Sequence, residues 1–229
     1  MLNEKENGAR SAFLDKICDL KVIVLDCDGV LFDSREANVQ FYNHMMEVIG
    51  RPPVQPEQHE FIHMHPVRQS LLYLIGDDGA DFERAFAYFE KIDFDLFNGH
   101  LQQEPGLIEF LRSAQARYRT ALATNRTSST LQLLNRYDLS RYFDLVVCAS
   151  DVLHPKPHPE TMQRIFSEFG AFPAQVLYIG DSRVDEAFAR ATGVIFVGYK
   201  NSDLRADFHI RHFNELGFLF SGNGAESSG

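Results

Sequence analysis

Tryptophan is absent from this chain of 229 residues, and cysteine is scarce: Cys18, Cys27 and Cys148 form no C-x-x-C pair. Three scattered cysteines argue against a disulfide framework or a cysteine-based zinc site. Each lies beside apolar residues, so all three are expected as buried free thiols. Positive charge is also in deficit, with 22 Lys and Arg against 32 Asp and Glu, for a formal net charge of −10. That balance argues against broad attraction to nucleic acid or to acidic membrane surfaces, so a small anionic ligand would need a local cationic site. No apolar run approaches the roughly 18 residues of a spanning helix. Positions 1–10 are charged and polar, without the apolar stretch of a secretory signal. The expectation is a cytoplasmic protein with no membrane partner. There is no internal repeat, and only 221–229, rich in Ser and Gly, reads as a flexible tail.

The rest is ordinary globular composition, 45% hydrophobic and 24% charged, enough to bury a sizeable core. One stretch organises it. Val22-Ile23-Val24-Leu25 runs without alternation into Asp26-Cys27-Asp28-Gly29, the pattern of a strand buried on both faces of a parallel sheet. Two acids at the carboxyl end of such a strand repel unless a cation lies between them. Mg²⁺, which takes carboxylate and phosphate oxygens, is the simplest candidate; an ordinary Asp-Cys-Asp-Gly turn is the alternative.

After this strand, Asp33-Ser34 reads as a helix cap, with Ala37, Phe41, Met45, Val48 and Ile49 at helical spacing. Helical patterns continue over 61–75 and 82–97, with turns at Asp77-Asp78-Gly79 and Asn98-Gly99. From Glu104 onward, helices alternate with apolar strands at 120–124, 145–148, 176–179 and 194–197. A short strand near His209-Ile210 and a helix over 214–218 follow. This alternation predicts an α/β protein with a doubly wound parallel sheet. Positions 1–33 and 101–220 would form the core, and 34–100 an inserted helical lid.

Polar groups recur at the strand ends: Asp26 and Asp28, Thr124-Asn125, Lys156-Pro157, and Gly180-Asp181-Ser182-Arg183-Val184-Asp185. In a parallel sheet these ends share one edge. Together they offer a carboxylate nucleophile, a neighbouring acid, a hydroxyl, a cation and further carboxylates. Phosphoryl transfer uses such a set for positioning and charge stabilisation.

With these residues in place, the chain resembles the haloacid dehalogenase superfamily, in its phosphoglycolate-phosphatase-like and β-phosphoglucomutase-like branch with a helical cap. Asp26-Cys27-Asp28-Gly29-Val30 is similar to its first motif, Thr124 to the second, Lys156 with Pro157 to the third, and Gly180-Asp181-Ser182-x-x-Asp185 to the fourth. The resemblance implies a Rossmann-like core and a phosphoric monoester hydrolase. Asp26 would be the nucleophile and a Mg²⁺ ligand. Asp28 would be the general acid and base and would offer its backbone carbonyl to the metal. Thr124, with the amides of Gly29 and Asn125, would hold phosphoryl oxygens, and Lys156 would offset their charge. Asp181 would complete the metal ligands, with Asp185 orienting a metal-bound water or Lys156. Asp28 favours a phosphate ester, because dehalogenating and phosphonate-cleaving members lack an acid there.

In the lid, Arg68 is a candidate substrate contact. His63 and His65 form an H-x-H pair suited either to a metal or to a polar turn. Arg126, beside Asn125, has an open role. β-Phosphoglucomutase-like members carry a histidine where this chain has Asn38, which favours hydrolysis. The alternatives are a phosphosugar mutase and a non-catalytic phosphometabolite-binding module. The expected partner is a small phosphorylated metabolite rather than nucleic acid, and a monomer and a homodimer are both compatible with the sequence.

Overall fold

The computed structural model describes residues 12–65, 67–76, 79–126 and 130–220. Two compact units result, one from 12–32 with 103–220 of these residues, the other from Asp33–Gln102.

The first unit is a six-stranded parallel sheet. Its strands are β1 (Val22–Leu25), β4 (Arg119–Ala123), β5 (Leu145–Val147), β6 (Val176–Gly180), β7 (Ile195–Tyr199) and β8 (Phe208–Ile210), in the order β5-β4-β1-β6-β7-β8. The apolar run of β1 becomes the centre: all four residues are at most 1% exposed, and Leu25 lies in register with Leu122 and Ile179. Unalternating apolar residues suit this position because both faces are covered by helices. The covering helices are amphipathic. On one face, Met162 and Ile165 of the helix Glu160–Phe169 and Phe188 of the helix Arg183–Thr192 pack with Val24, Ala123 and Tyr178. Proline precedes the first of these helices, and left-handed Gly170 and Gly193 close them, as fixed φ and the missing Cβ favour. The helices Leu107–Gln115 and Thr130–Arg136 complete the alternation. The spacing predicts a helix over 128–138, of which positions 128 and 129 lie outside the described residues, as does the 221–229 tail.

Two short strands, β2 (Phe32–Asp33) and β3 (Gln102–Gln103), pair where the chain passes between units. The second unit is helical: α1 (Arg35–Val48), α2 (His59–Met64), α3 (Val67–Ile75), α4 (Gly79–Phe89) and a 3-10 segment Phe94–His100. Its core gathers Phe41, Tyr42, Met45, Leu71, Ile75 and Phe82.

Several sequence expectations are corrected. The helix over 61–75 is two helices, with His65 extended between them at φ −115°, ψ 151°, because a residue before proline is driven from the helical region; Pro66 itself lies outside the described residues. The helix over 82–97 ends at Phe89, and Asn98-Gly99 falls within the 3-10 segment. Asp77 and Asp78 lie outside the described residues, and Gly79 opens α4. The last helix is a 3-10 run, Phe213–Leu219. Cys18 is exposed, whereas Cys27 and Cys148 are buried and all three are free thiols; Cys18 falls in the turn before β1, outside the packed elements. Among the described residues, no helix is long and apolar enough to cross a membrane.

Candidate active site

Parallel strands in register bring their carboxyl ends to one edge, and the polar residues follow there. Asp26 continues β1 by one step, its N–H donating to the Ile179 carbonyl at 2.9 Å. Lys156 comes from the loop after β5, where the Lys156–Pro157 peptide is cis. Its ammonium reaches Asp26 Oδ1 at 2.8 Å, Asp185 Oδ1 at 2.8 Å and the Tyr178 hydroxyl at 2.9 Å. The Lys156 side chain is 2% exposed, so these partners are required: a buried ammonium without them would be costly. Burial alone would discharge it, but Asp185 and Asp26 outweigh burial and push its pKa up.

Asp185 anchors this lysine. It is fully buried in the first turn of the helix Arg183–Thr192. Its Oδ1 also accepts from the Tyr178 hydroxyl at 2.5 Å, and its Oδ2 accepts from Ser182 Oγ at 2.6 Å and from the Ser182 N–H at 3.1 Å. Burial opposes its charge, yet Lys156, Ser182 and Tyr178 hold its carboxyl below the usual range. Gly180 permits the packing, since a Cβ there would lie 2.4 Å from Asp185 Cβ.

Asp26 and Asp181 are less well compensated. Burial pushes Asp26 up to about 7, with Lys156 opposing and Asp185 and Asp28 adding to the rise. Burial, then Asp26 and Asp185, push Asp181 well above its ordinary value. Asp26, Asp181 and Asp185 present carboxylate oxygens within 4.8 Å of one another, with Lys156 the ammonium among them. With all three carboxylates ionised the set would carry two net negative charges, which one divalent cation would balance, and all-oxygen donors suit Mg²⁺. The site's residues therefore fit that ion. Gly29 supplies room beside it: at φ +74°, an added Cβ would stand 1.9 Å from Asp181 Oδ2. The Gly29 amide, expected to meet phosphoryl oxygens, instead donates to the Phe32 carbonyl at 2.9 Å.

Asp28 is turned toward a different partner. Its Oδ1 accepts from Arg126 Nη1 at 2.7 Å; the Asp28 side chain is 43% exposed and that of Arg126 14%. Arg126 also donates its N–H to Thr124 Oγ1 at 3.0 Å, while Asn125 Nδ2 donates to the Lys156 carbonyl at 2.9 Å. The segment 124–126 thus touches both the acid and the lysine loop. Cys27 lies buried between the two aspartates, its thiol pushed up by burial and then by Asp28, so it is inert as a nucleophile.

The sequence-predicted core residues Asp26, Asp28, Gly29, Thr124, Asn125, Lys156, Asp181 and Asp185 therefore lie along one sheet edge. Tyr178 and Arg126 join them, the former hidden in an apolar strand and the latter left without a role by sequence. A tyrosine among aliphatic residues was the only signal for Tyr178. Arg68 belongs to the helical unit, its guanidinium 5.4 Å from the Phe82 ring centroid. There His63 and His65 are both exposed and belong to no candidate metal grouping among the described residues; His65 Nδ1 donates to the Phe61 carbonyl at 2.9 Å and its ring stacks on Phe61. Asn38 donates to the Ile62 carbonyl at 2.9 Å.

A sequence model of the haloacid dehalogenase-like hydrolases matches residues 23–199. This chain belongs to that family. As a haloacid dehalogenase-like hydrolase it is 27% identical over 183 residues to a phosphorylated carbohydrates phosphatase of Thermotoga maritima, covering 76% of this chain and 82% of that protein. A phosphoglycolate phosphatase of Salmonella choleraesuis is 26% identical over 210 residues, with 81% and 83% covered. Among solved structures, a haloacid dehalogenase superfamily hydrolase of subfamily IA, variant 1, from Geobacter sulfurreducens matches with a TM-score of 0.76. It is 36% identical, and 88% of this chain and 97% of that chain are covered.

Proposed function

We propose that this hydrolase is a Mg²⁺-dependent phosphatase of small phosphomonoesters that works through an aspartyl-phosphate on Asp26. The observation that carries the reading is the buried Lys156 ammonium at 2.8 Å from Asp26 Oδ1, with the Asp181 carboxylate beside Asp26 to share a divalent ion with it. An Asp26 oxygen attacks phosphorus as the P–O bond to the ester oxygen breaks, the C–O bond staying intact, and Asp28 protonates the departing alkoxide. Asp28 then takes a proton from water as that water attacks phosphorus, releasing phosphate and restoring Asp26. Thr124, whose oxygen accepts from the Arg126 N–H, keeps its hydroxyl proton to donate to a phosphoryl oxygen. Asn125 positions the Lys156 loop through its bond to the Lys156 carbonyl. Asp26 and Asp181 would hold Mg²⁺, with the Asp28 backbone. When bound, Mg²⁺ supplies the positive charge that keeps these carboxylates ionised and offsets the phosphoryl group. Asp185, with both oxygens engaged, serves Lys156 rather than the metal.

The helical unit serves as a cap in this reading, with Arg68 a candidate contact for the rest of the substrate. Asn38, tied to the Ile62 carbonyl, offers no imidazole to manage a second phosphoryl transfer, which favours hydrolysis over mutase chemistry. The relatives' names suggest phosphoglycolate or a sugar phosphate as the ester. Three free cysteines suit a reducing, cytoplasmic setting.

Phosphate release from a panel of phosphomonoesters, with Mg²⁺ and with chelator, tests the proposal. Magnesium-dependent release concentrated on one or two esters is expected. Release that survives chelation, or that survives Asp26→Asn in a folded sample, overturns the mechanism.

A further inference from the structure

The loop that aims Lys156 inward carries a second constellation facing outward. In His154-Pro155-Lys156-Pro157-His158-Pro159-Glu160, the histidines flank the lysine and a glutamate follows. Their side chains are accessible, with His154 63%, His158 48% and Glu160 26% exposed. Their ligand atoms lie within 4.8 Å of one another. Glu160 Oε2 is 3.1 Å from His154 Nδ1 and 3.9 Å from His158 Nδ1. Donors bound at about 2.0 to 2.1 Å in a tetrahedral site stand about 3.3 to 3.4 Å apart, so the observed spacings bracket those of a metal set.

We propose that His154, His158 and Glu160 form a binding site for a borderline transition-metal ion such as Zn²⁺, separate from the carboxylate site at the sheet edge. Its donor chemistry decides the class: two imidazoles and one carboxylate suit Zn²⁺, whereas Mg²⁺ prefers oxygen throughout. The glutamate is already fixed, with Oε1 accepting from the Leu153 N–H at 2.8 Å and Oε2 from the His154 N–H at 3.0 Å. His158 Nδ1 accepts from the Glu160 N–H at 3.3 Å, so it carries no proton and exchanges this long bond for the metal. His154 Nδ1 gives up its contact with Glu160 for the metal, any proton there passing to Nε2 or to solvent. Three prolines fix φ at alternate positions of the loop, lowering the ordering cost of bringing the donors together. Three protein ligands leave the fourth position to water.

The test is calorimetric titration of the full chain with ZnCl₂ in a weakly coordinating buffer containing excess Mg²⁺. One Zn²⁺ equivalent is expected, retained by Asp181→Asn. His154→Ala and His158→Ala should each weaken it at least roughly 10-fold, the lower end of what removing even an indirect partner of a metal costs. Thermal melts of the metal-free variants establish that the exposed substitutions leave the fold intact. Zinc binding unchanged in both histidine variants, or lost in Asp181→Asn, overturns the site. Neither result bears on Mg²⁺-dependent phosphate release, which tests the phosphatase reading separately.

Discussion

Arg126 does for Asp28 what Lys156 does for Asp26: it fixes one carboxylate oxygen from the segment that follows another strand of the sheet. The two pairs differ in setting, since Lys156 is buried and Asp28 is 43% exposed, so the second is worth less in stability and more in orientation. Arg126→Ala should lower kcat roughly 10-fold to 100-fold, the range a misplaced catalytic group costs. KM should change little, and Arg126→Lys should recover part of the loss. Steady-state kinetics check this, and an unchanged kcat would show that Asp28 finds its place unaided. Gly29 makes a steric argument at the same scale. Gly29→Ala combines φ +74° with a Cβ 1.9 Å from Asp181 Oδ2. A cost of roughly 1–3 kcal/mol for the backbone alone, and loss of most activity through displacement of Asp181, are expected from denaturant melts and phosphate release.

Between elements, Asp144 ties the strands β4 and β5 together. One of its oxygens accepts from the Thr120 N–H at 2.8 Å, and the other from Arg119 Nη1 at 2.9 Å. Burial opposes its charge, but the bonds from Thr120 and Arg119 outweigh it and hold the carboxyl below its ordinary value. A depressed folded-state pKa means stability present above the unfolded value of about 3.9 and lost as pH falls through the folded one. Asp144→Asn should therefore cost roughly 1–3 kcal/mol at neutral pH, and the gap to wild type should close only below about pH 4. Urea melts across pH read this directly; a pH-independent gap would mean that packing, not charge, is lost. Elements of this kind also mark what was legible in the sequence. The sheet was readable because buried parallel strands are unalternating apolar runs, and the site because its acids, hydroxyl and lysine directly follow those runs. Tyr178 was not, since its partner Lys156 is distant in sequence and its strand reads as apolar. The exposed setting of Cys18 and the occupied Gly29 amide depend on local geometry that no spacing encodes. The break of the 61–75 helix was marked by Pro66, whose effect on His65 the helical periodicity masked.

Across the whole molecule, acidity reaches inward as well as outward: a chain of formal net charge −10 also concentrates Asp26, Asp181 and Asp185 around a single ammonium. Without metal, that arrangement opposes folding, because buried like charges repel and lose hydration. Any ion binding the native state alone stabilises it by mass action, about 2.7 kcal/mol at one hundred times its Kd. At about 2–4 °C per kcal/mol for a chain of this size, saturating Mg²⁺ should raise Tm by roughly 5–10 °C, and chelator should reverse the shift. Asp181→Asn removes both the repulsion and a ligand. Its metal-free Tm should therefore equal or exceed that of wild type, while its Mg²⁺-dependent shift largely disappears. A wild-type Tm indifferent to Mg²⁺, or an Asp181→Asn protein that keeps the full shift, would place the ion elsewhere and leave these carboxylates to be balanced by protons.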